Sequence, residues 1–113
     1  MRSILIVVFF VMIGVLKVYS QKLFTVDYAS DSDFKVIVVE HASQADIKVY
    51  LEEVVSQVQG NRGIWHFTNI RSDADKKVLF VKYQSQADLK IYFVEYRSQA
   101  GWINENKKHL LND

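Results

Sequence analysis

The chain has 113 residues, 14 Lys and Arg against 13 Asp and Glu, half of its residues apolar, and neither cysteine nor proline. The near-neutral balance excludes a phosphate-tracking nucleic-acid protein, which needs a basic surplus on one face. The lack of cysteine excludes disulfides, thiol nucleophiles, a lipidated cysteine and thiolate metal sites, so a small domain must hold together by packing and hydrogen bonds.

At the N-terminus Arg2 precedes an apolar run, residues 4–16 (ILIVVFFVMIGVL), followed by Lys17, Val18, Tyr19 and Ser20. The run is short for a bilayer span and suits the apolar region of a secretory signal. Val18 and Ser20 are small enough for the −3 and −1 sites of a signal peptidase, which predicts a signal peptide over 1–20 and a cut before Gln21. The protein is then exported, periplasmic or secreted, and meets the membrane only during export. Loss of Arg2 and Lys17 leaves twelve cations facing thirteen carboxylates, a net charge of −1.

From residue 23 the chain repeats. Thirteen-residue units start at Leu23, Val36, Val49, Trp65, Val78 and Ile91. Their eighth position is always serine: Ser30, Ser43, Ser56, Ser72, Ser85 and Ser98. The eleventh is aspartate in four (Asp33, Asp46, Asp75, Asp88), and the same four carry lysine at the thirteenth (Lys35, Lys48, Lys77, Lys90). Such self-similarity marks a repeat architecture. Residues 21–103 therefore form one repeat domain with halves 23–61 and 65–103. The glycine-rich 59–63 (QGNRG) reads as a hinge between the halves, and 104–113 as a polar tail that frays or makes one helical turn.

Within a unit the first four positions are rich in Val, Ile, Phe and Tyr and read as a strand. Positions two, four and six, as in Tyr92, Val94 and Tyr96 or Ile37, Val39 and His41, share one face and are expected to point into the core. The partly apolar odd face suggests strands sandwiched between others. Because thirteen is odd, strict alternation would reverse the faces in each unit, and a register slip is expected at positions twelve, one and two. The SQAD segment, which follows the strand, reads as a tight bend with extended flanks; its serine and aspartate have the spacing of a helical cap. The fold class is all-β: six 13-residue strand-plus-bend repeats in two pseudo-equivalent trios.

The unit consensus, VYFVEYxSQADLK, resembles a family of small, mostly bacterial repeat proteins that constitute a domain of unknown function. The similarity covers 23–103, is strongest over 42–50 and 83–102, and weakens in the third unit and around 65–70. It implies an all-β chain path tied as a deep, seven-crossing torus knot. It implies no activity, substrate or catalytic residue.

The candidate chemistry is thin. The Asp and Lys of positions eleven and thirteen offer a ladder for ions or polar polymers, or simply solvated partners each worth about 0–1 kcal/mol, and the second reading is preferred. Asp31 with Asp33 and Asp73 with Asp75 have part of a calcium-binding pattern but lack its full loop, so turn-capping aspartates are expected. His41, His66 and His109 lack metal-ligand spacing; His41 stands where sister units have tyrosine, which predicts a packing role. The six serines read as turn or cap residues, since there is no G-x-S-x-G. Among the aromatics, Trp65 and Trp102 are the candidate binding residues, as side chains expected to be left exposed at the ends with faces that stack on sugar rings. No catalytic, metal or cofactor-binding residue is assigned. The expectation is a small exported structural or binding module without catalysis. The alternatives are a glycan- or ion-binding envelope protein, with a polysaccharide or its own copies as partner, and a small hydrolase around His66, Asp73 and Asp75.

Overall fold

The computed structural model describes residues 21–53 and 60–111. The expected signal peptide over 1–20 and residues 54–59 of the third unit lie outside the described residues. Runs such as FKVIV, IKVYL and LKIYF combine β-branched and aromatic side chains, and they form strands. These are β1 (Lys22–Thr25), β2 (Phe34–Val38), β3 (Ile47–Leu51), β4 (Ile64–Phe67), β5 (Lys76–Phe80), β6 (Leu89–Phe93) and the short β7 (Gly101–Trp102).

The first six strands are all parallel, in the order β4-β1-β5-β2-β6-β3, and β3 pairs again with β4. The sheet is thus a closed six-stranded barrel, not a sandwich. The halves interleave, so each strand of the first half lies between two of the second. At every interface the third position of one unit faces the first position of the next, as in Thr25 with Val78, Phe80 with Val36 and Leu51 with Trp65. A stagger of two residues at each of six interfaces sums to a shear of twelve. With ordinary strand spacing this tilts the strands by roughly 54°, steeper than the usual 35–45° of barrels.

One hydrogen bond recurs around the whole barrel. The position-four N–H of each unit donates to the position-one carbonyl of its neighbour: Val26 to Val78, Val81 to Val36, Val39 to Ile91, Val94 to Val49, Glu52 to Trp65 and Thr68 to Leu23, all at 2.8–2.9 Å. The cycle returns to its start.

The core reverses the expected faces. The position-one side chains Leu23, Val36, Val49, Trp65, Val78 and Ile91 are all 0% exposed, and the position-twelve residues Phe34, Ile47 and Leu89 join them. Position two is half-buried on the outside, and Tyr28, Tyr83 and Tyr96 at position six are exposed, so the even face is not the core face. The reason is the strand boundary. Strands run from position twelve to position three and are regular where the slip was expected; parity changes only as the strand ends, where Val26 and Val39 at position four turn back inward.

Each described SQAD-type segment is a short 3-10 turn with extended flanks: Ala29–Asp31, Ala42–Gln44, Arg71–Asp73, Gln84–Gln86 and Arg97–Gln99. The repeated serine sits inside the turn. It does not cap it, because the N-cap residue is the one at position six, and Tyr28, His41, Ile70 and Tyr83 make no side-chain cap bond. The aspartate after each turn acts across the barrel. Asp33 donates its backbone N–H to Lys77 O (2.7 Å) and accepts the Lys77 N–H on its carboxylate (2.7 Å). Asp46 pairs in the same way with Lys90, Asp75 with Lys22, and Asp88 with Lys35. The carboxylate satisfies a backbone donor that the ladder has not yet reached.

The sixth unit has Gly101 in place of this aspartate, and there the chain reverses. β7 runs antiparallel to β3, beside the flank that β4 completes further along. The seam is tight: Gly63, at φ +83°, lies so close that an added Cβ would stand 2.4 Å from Lys48 O. Trp102 Nε1 donates to Asn61 O and Oδ1 (both 3.0 Å), and Asn61 Nδ2 donates to Lys108 O (3.0 Å). The described part of the expected hinge is therefore anchored. Nor does the tail fray over its described length: residues Glu105–Leu111 form a 3-10 helix whose Leu111 is 3% exposed within the core, its carbonyl accepting from buried Gln21 Nε2.

Asp46→Ala strands the Lys90 N–H, and is expected to cost about 1.5–3 kcal/mol in urea titration, against less than about 0.5 for Asp27→Ala on the surface. Gly63→Ala combines a left-handed φ with a backbone clash, and is expected to cost more than about 1 kcal/mol in the same assay.

Candidate functional site

The ends of the barrel differ. At the start of the strands, Leu111, Gln21, Phe34 and Ile47 are buried, whereas the strands' last inward-facing residues, at position three, border an open end. There a pocket of about 310 Å³ is lined by Leu51, Glu52, Glu53, Trp65, His66 and Phe67. Phe67 meets Trp65 edge-on at 6.3 Å and Phe80 at 5.9 Å, forming an aromatic wall. A second, wider cleft of about 500 Å³, between Arg62, Ile64, Arg97, Ser98 and Ala100, lies beyond the Arg97–Glu52 ion pair (2.6 Å).

His66 is held at the mouth by its neighbours. Its Nδ1 lies 2.8 Å from Glu52 O, a contact that requires a proton on Nδ1 and leaves the Nε2 lone pair free in the neutral ring. The Glu52 carboxylate is engaged by Arg97. Asp75 accepts the Lys22 N–H, and Asp73 lies in its exposed turn, so the hydrogen bonds that orient His66 come from the Glu52 backbone and not from either aspartate.

The structure relocates the other expected residues. Trp65 is fully buried: it takes the innermost position filled by Leu, Val or Ile in the other units, so it has no exposed face for a sugar. Its Nε1–H has no hydrogen-bond partner among the described residues. Trp102 is half-buried at the seam, its indole N–H committed to Asn61. His41 is exposed and does not pack, because position six has left the core face. His109 is also exposed, with Nδ1 2.9 Å from Asn106 O. Asp31 pairs with Arg71 at 3.8 Å, while Asp33 serves the barrel clamp. Among the described residues no three His, Asp or Glu side chains gather as a metal site. In the Asp-Lys pairs the aspartates clamp the backbone of the neighbouring strand, a role hinted at only by the D-x-K spacing.

A closed parallel barrel with interleaved halves and a plugged base defines a small β domain of entwined path. The chain belongs to the 7(1) septoil knot domain family, whose model matches residues 20–103. No curated protein and no solved structure gives a significant match to the chain.

Trp65→Ala is expected to cost about 3–5 kcal/mol, the range for emptying a core aromatic site. Trp102→Phe keeps a ring but loses the bond to Asn61, and is expected to cost about 1 kcal/mol. Urea titration followed by far-ultraviolet circular dichroism separates the two.

Proposed function

We propose that this protein is a small exported module, structural or binding in role and without catalysis, whose distinguishing property is persistence. In this reading it consists of six 13-residue repeats in two pseudo-equivalent trios, threaded as a seven-crossing knot. The closed cycle of position-four to position-one hydrogen bonds carries the proposal. No strand from β1 to β6 can leave without breaking pairing on both sides, and each half is held by the other. Family membership supports the threading, and the N-terminal apolar run after Arg2 supports export. Closure also leaves β1 to β6 without an open edge, which removes the support for assembly by edge-strand addition.

Outside the cell, with no disulfide to slow opening, such a path favours a high unfolding barrier over a large equilibrium stability. The unfolding rate of the purified protein, extrapolated to water from guanidinium jumps monitored by tryptophan fluorescence, is expected below about 10⁻⁵ per second, the slow end for small domains. Unfolding within seconds and full, rapid refolding would remove persistence from its description.

A further inference from the structure

The surface is polarised along the barrel. All six long strands are parallel, so their C-terminal ends lie together. Val38, Leu51 and Phe80 close β2, β3 and β5 there with exposures of 45, 45 and 37%. Three residues further along, Tyr28, Ile70, Tyr83 and Tyr96 are 56–69% exposed. These seven are all of the large apolar or aromatic side chains that stand exposed among the described residues, except Ile103. Because the same stagger recurs at every interface, the strand ends lie at one level around the axis, and the described position-six residues follow them in the order Ile70, Tyr28, Tyr83, His41, Tyr96. Exposed apolar side chains gathered at and just after the strand ends mark an interaction surface.

Charge identifies what it fits. Position five, just past the strand ends, carries exposed Asp27, Glu40, Glu53 and Glu95 against the single cation Lys82, while Arg71 and Arg97, two residues further on, are held by Asp31 and Glu52. Lysines instead occupy the beginnings of the strands: Lys22, Lys35, Lys48, Lys77 and Lys90. The apolar end is therefore acidic and rich in aromatic faces, which attract ammonium and guanidinium groups by their quadrupoles. Two such ends facing each other would bring an excess of carboxylates together, and an anionic lipid surface would be repelled.

We propose that the C-terminal end of the barrel docks a basic, apolar peptide segment of a partner protein. Its apolar side chains lie on Val38, Leu51 and Phe80 and its cations reach the position-five carboxylates and the tyrosine faces. This rests on the binding-module reading above and names the partner's chemistry.

The test titrates the purified protein with a short peptide of alternating leucine and lysine in a calorimeter, with the leucine–glutamate peptide as control. The expected result is saturable binding of the lysine peptide alone, weakened by added salt. Binding should fall about tenfold or more in Y28S/Y83S/Y96S and again in E40K/E95K, the scale of losing a hot-spot side chain. Both variants alter exposed side chains, and unchanged circular dichroism establishes that they fold. Equal binding of both peptides, no binding, or indifference to both variants would overturn the proposal. So would light scattering that shows self-association abolished by the tyrosine variant, which assigns the surface to a second copy, or attachment to neutral vesicles under the same control. Slow unfolding that persists when peptide binding fails would sink the docking surface alone and leave the persistence reading standing.

Discussion

The bond from each position-four N–H to a neighbouring position-one carbonyl organises this molecule. It sets the two-residue stagger, and six repetitions of that stagger close the barrel at a steep tilt. The same bond lies where each strand ends and its parity changes. That is why an odd-length unit can keep returning its position-one side chain to the interior: one phase change per unit cancels the odd residue. The six position-one side chains are then fully buried in a single layer around the axis.

The aspartate clamp solves a problem created by parallel pairing at short strand length. A five-residue strand has few ladder bonds, and its first N–H groups lie beyond the reach of the neighbouring backbone. The carboxylate of Asp33, Asp46, Asp75 or Asp88 extends the ladder by one bond, while the aspartate's own N–H binds the same partner residue. Such charge-assisted bonds are stronger than neutral ones and aim each entering strand at its neighbour from the other half. Where the residue is Gly101, the chain instead reverses, binds the seam through Trp102 and Asn61, and delivers the helix that carries Leu111 into the core.

Uniform strand direction gives the barrel two unlike ends. The beginnings of the strands are lysine-bearing, with Leu111 and Gln21 buried nearby, whereas their ends expose rings and carboxylates. Closure leaves β1 to β6 without a free edge, and a pocket lies beside His66 at the strand ends. Within that pocket the backbone contact of His66 and the Arg97–Glu52 pair fix the polar groups, while Leu51 and Phe67 provide the apolar wall, with Trp65 buried behind Phe67.

The all-β class, the turn after each strand and the kinship to a knotted family were legible in the residues, because each is a local pattern carried by spacing or composition. The core face was not. Val, Ile and Phe occupy both faces of the strands, so periodicity did not distinguish them; burial was decided by where the strand starts, and that depends on which neighbour takes its N–H groups. For the same reason His41 and the tyrosines of position six moved from expected core to surface, and Trp65 from an exposed end to the centre. The D-x-K spacing is visible in the chain, but its partner lies 44 or 53 residues away in the other half. The sequence by itself determined the all-β class and the alternation of strand and turn along the chain. Only closure of the interleaved barrel decided what each position of the unit touches, since every long strand takes both its neighbours from the opposite half of the chain.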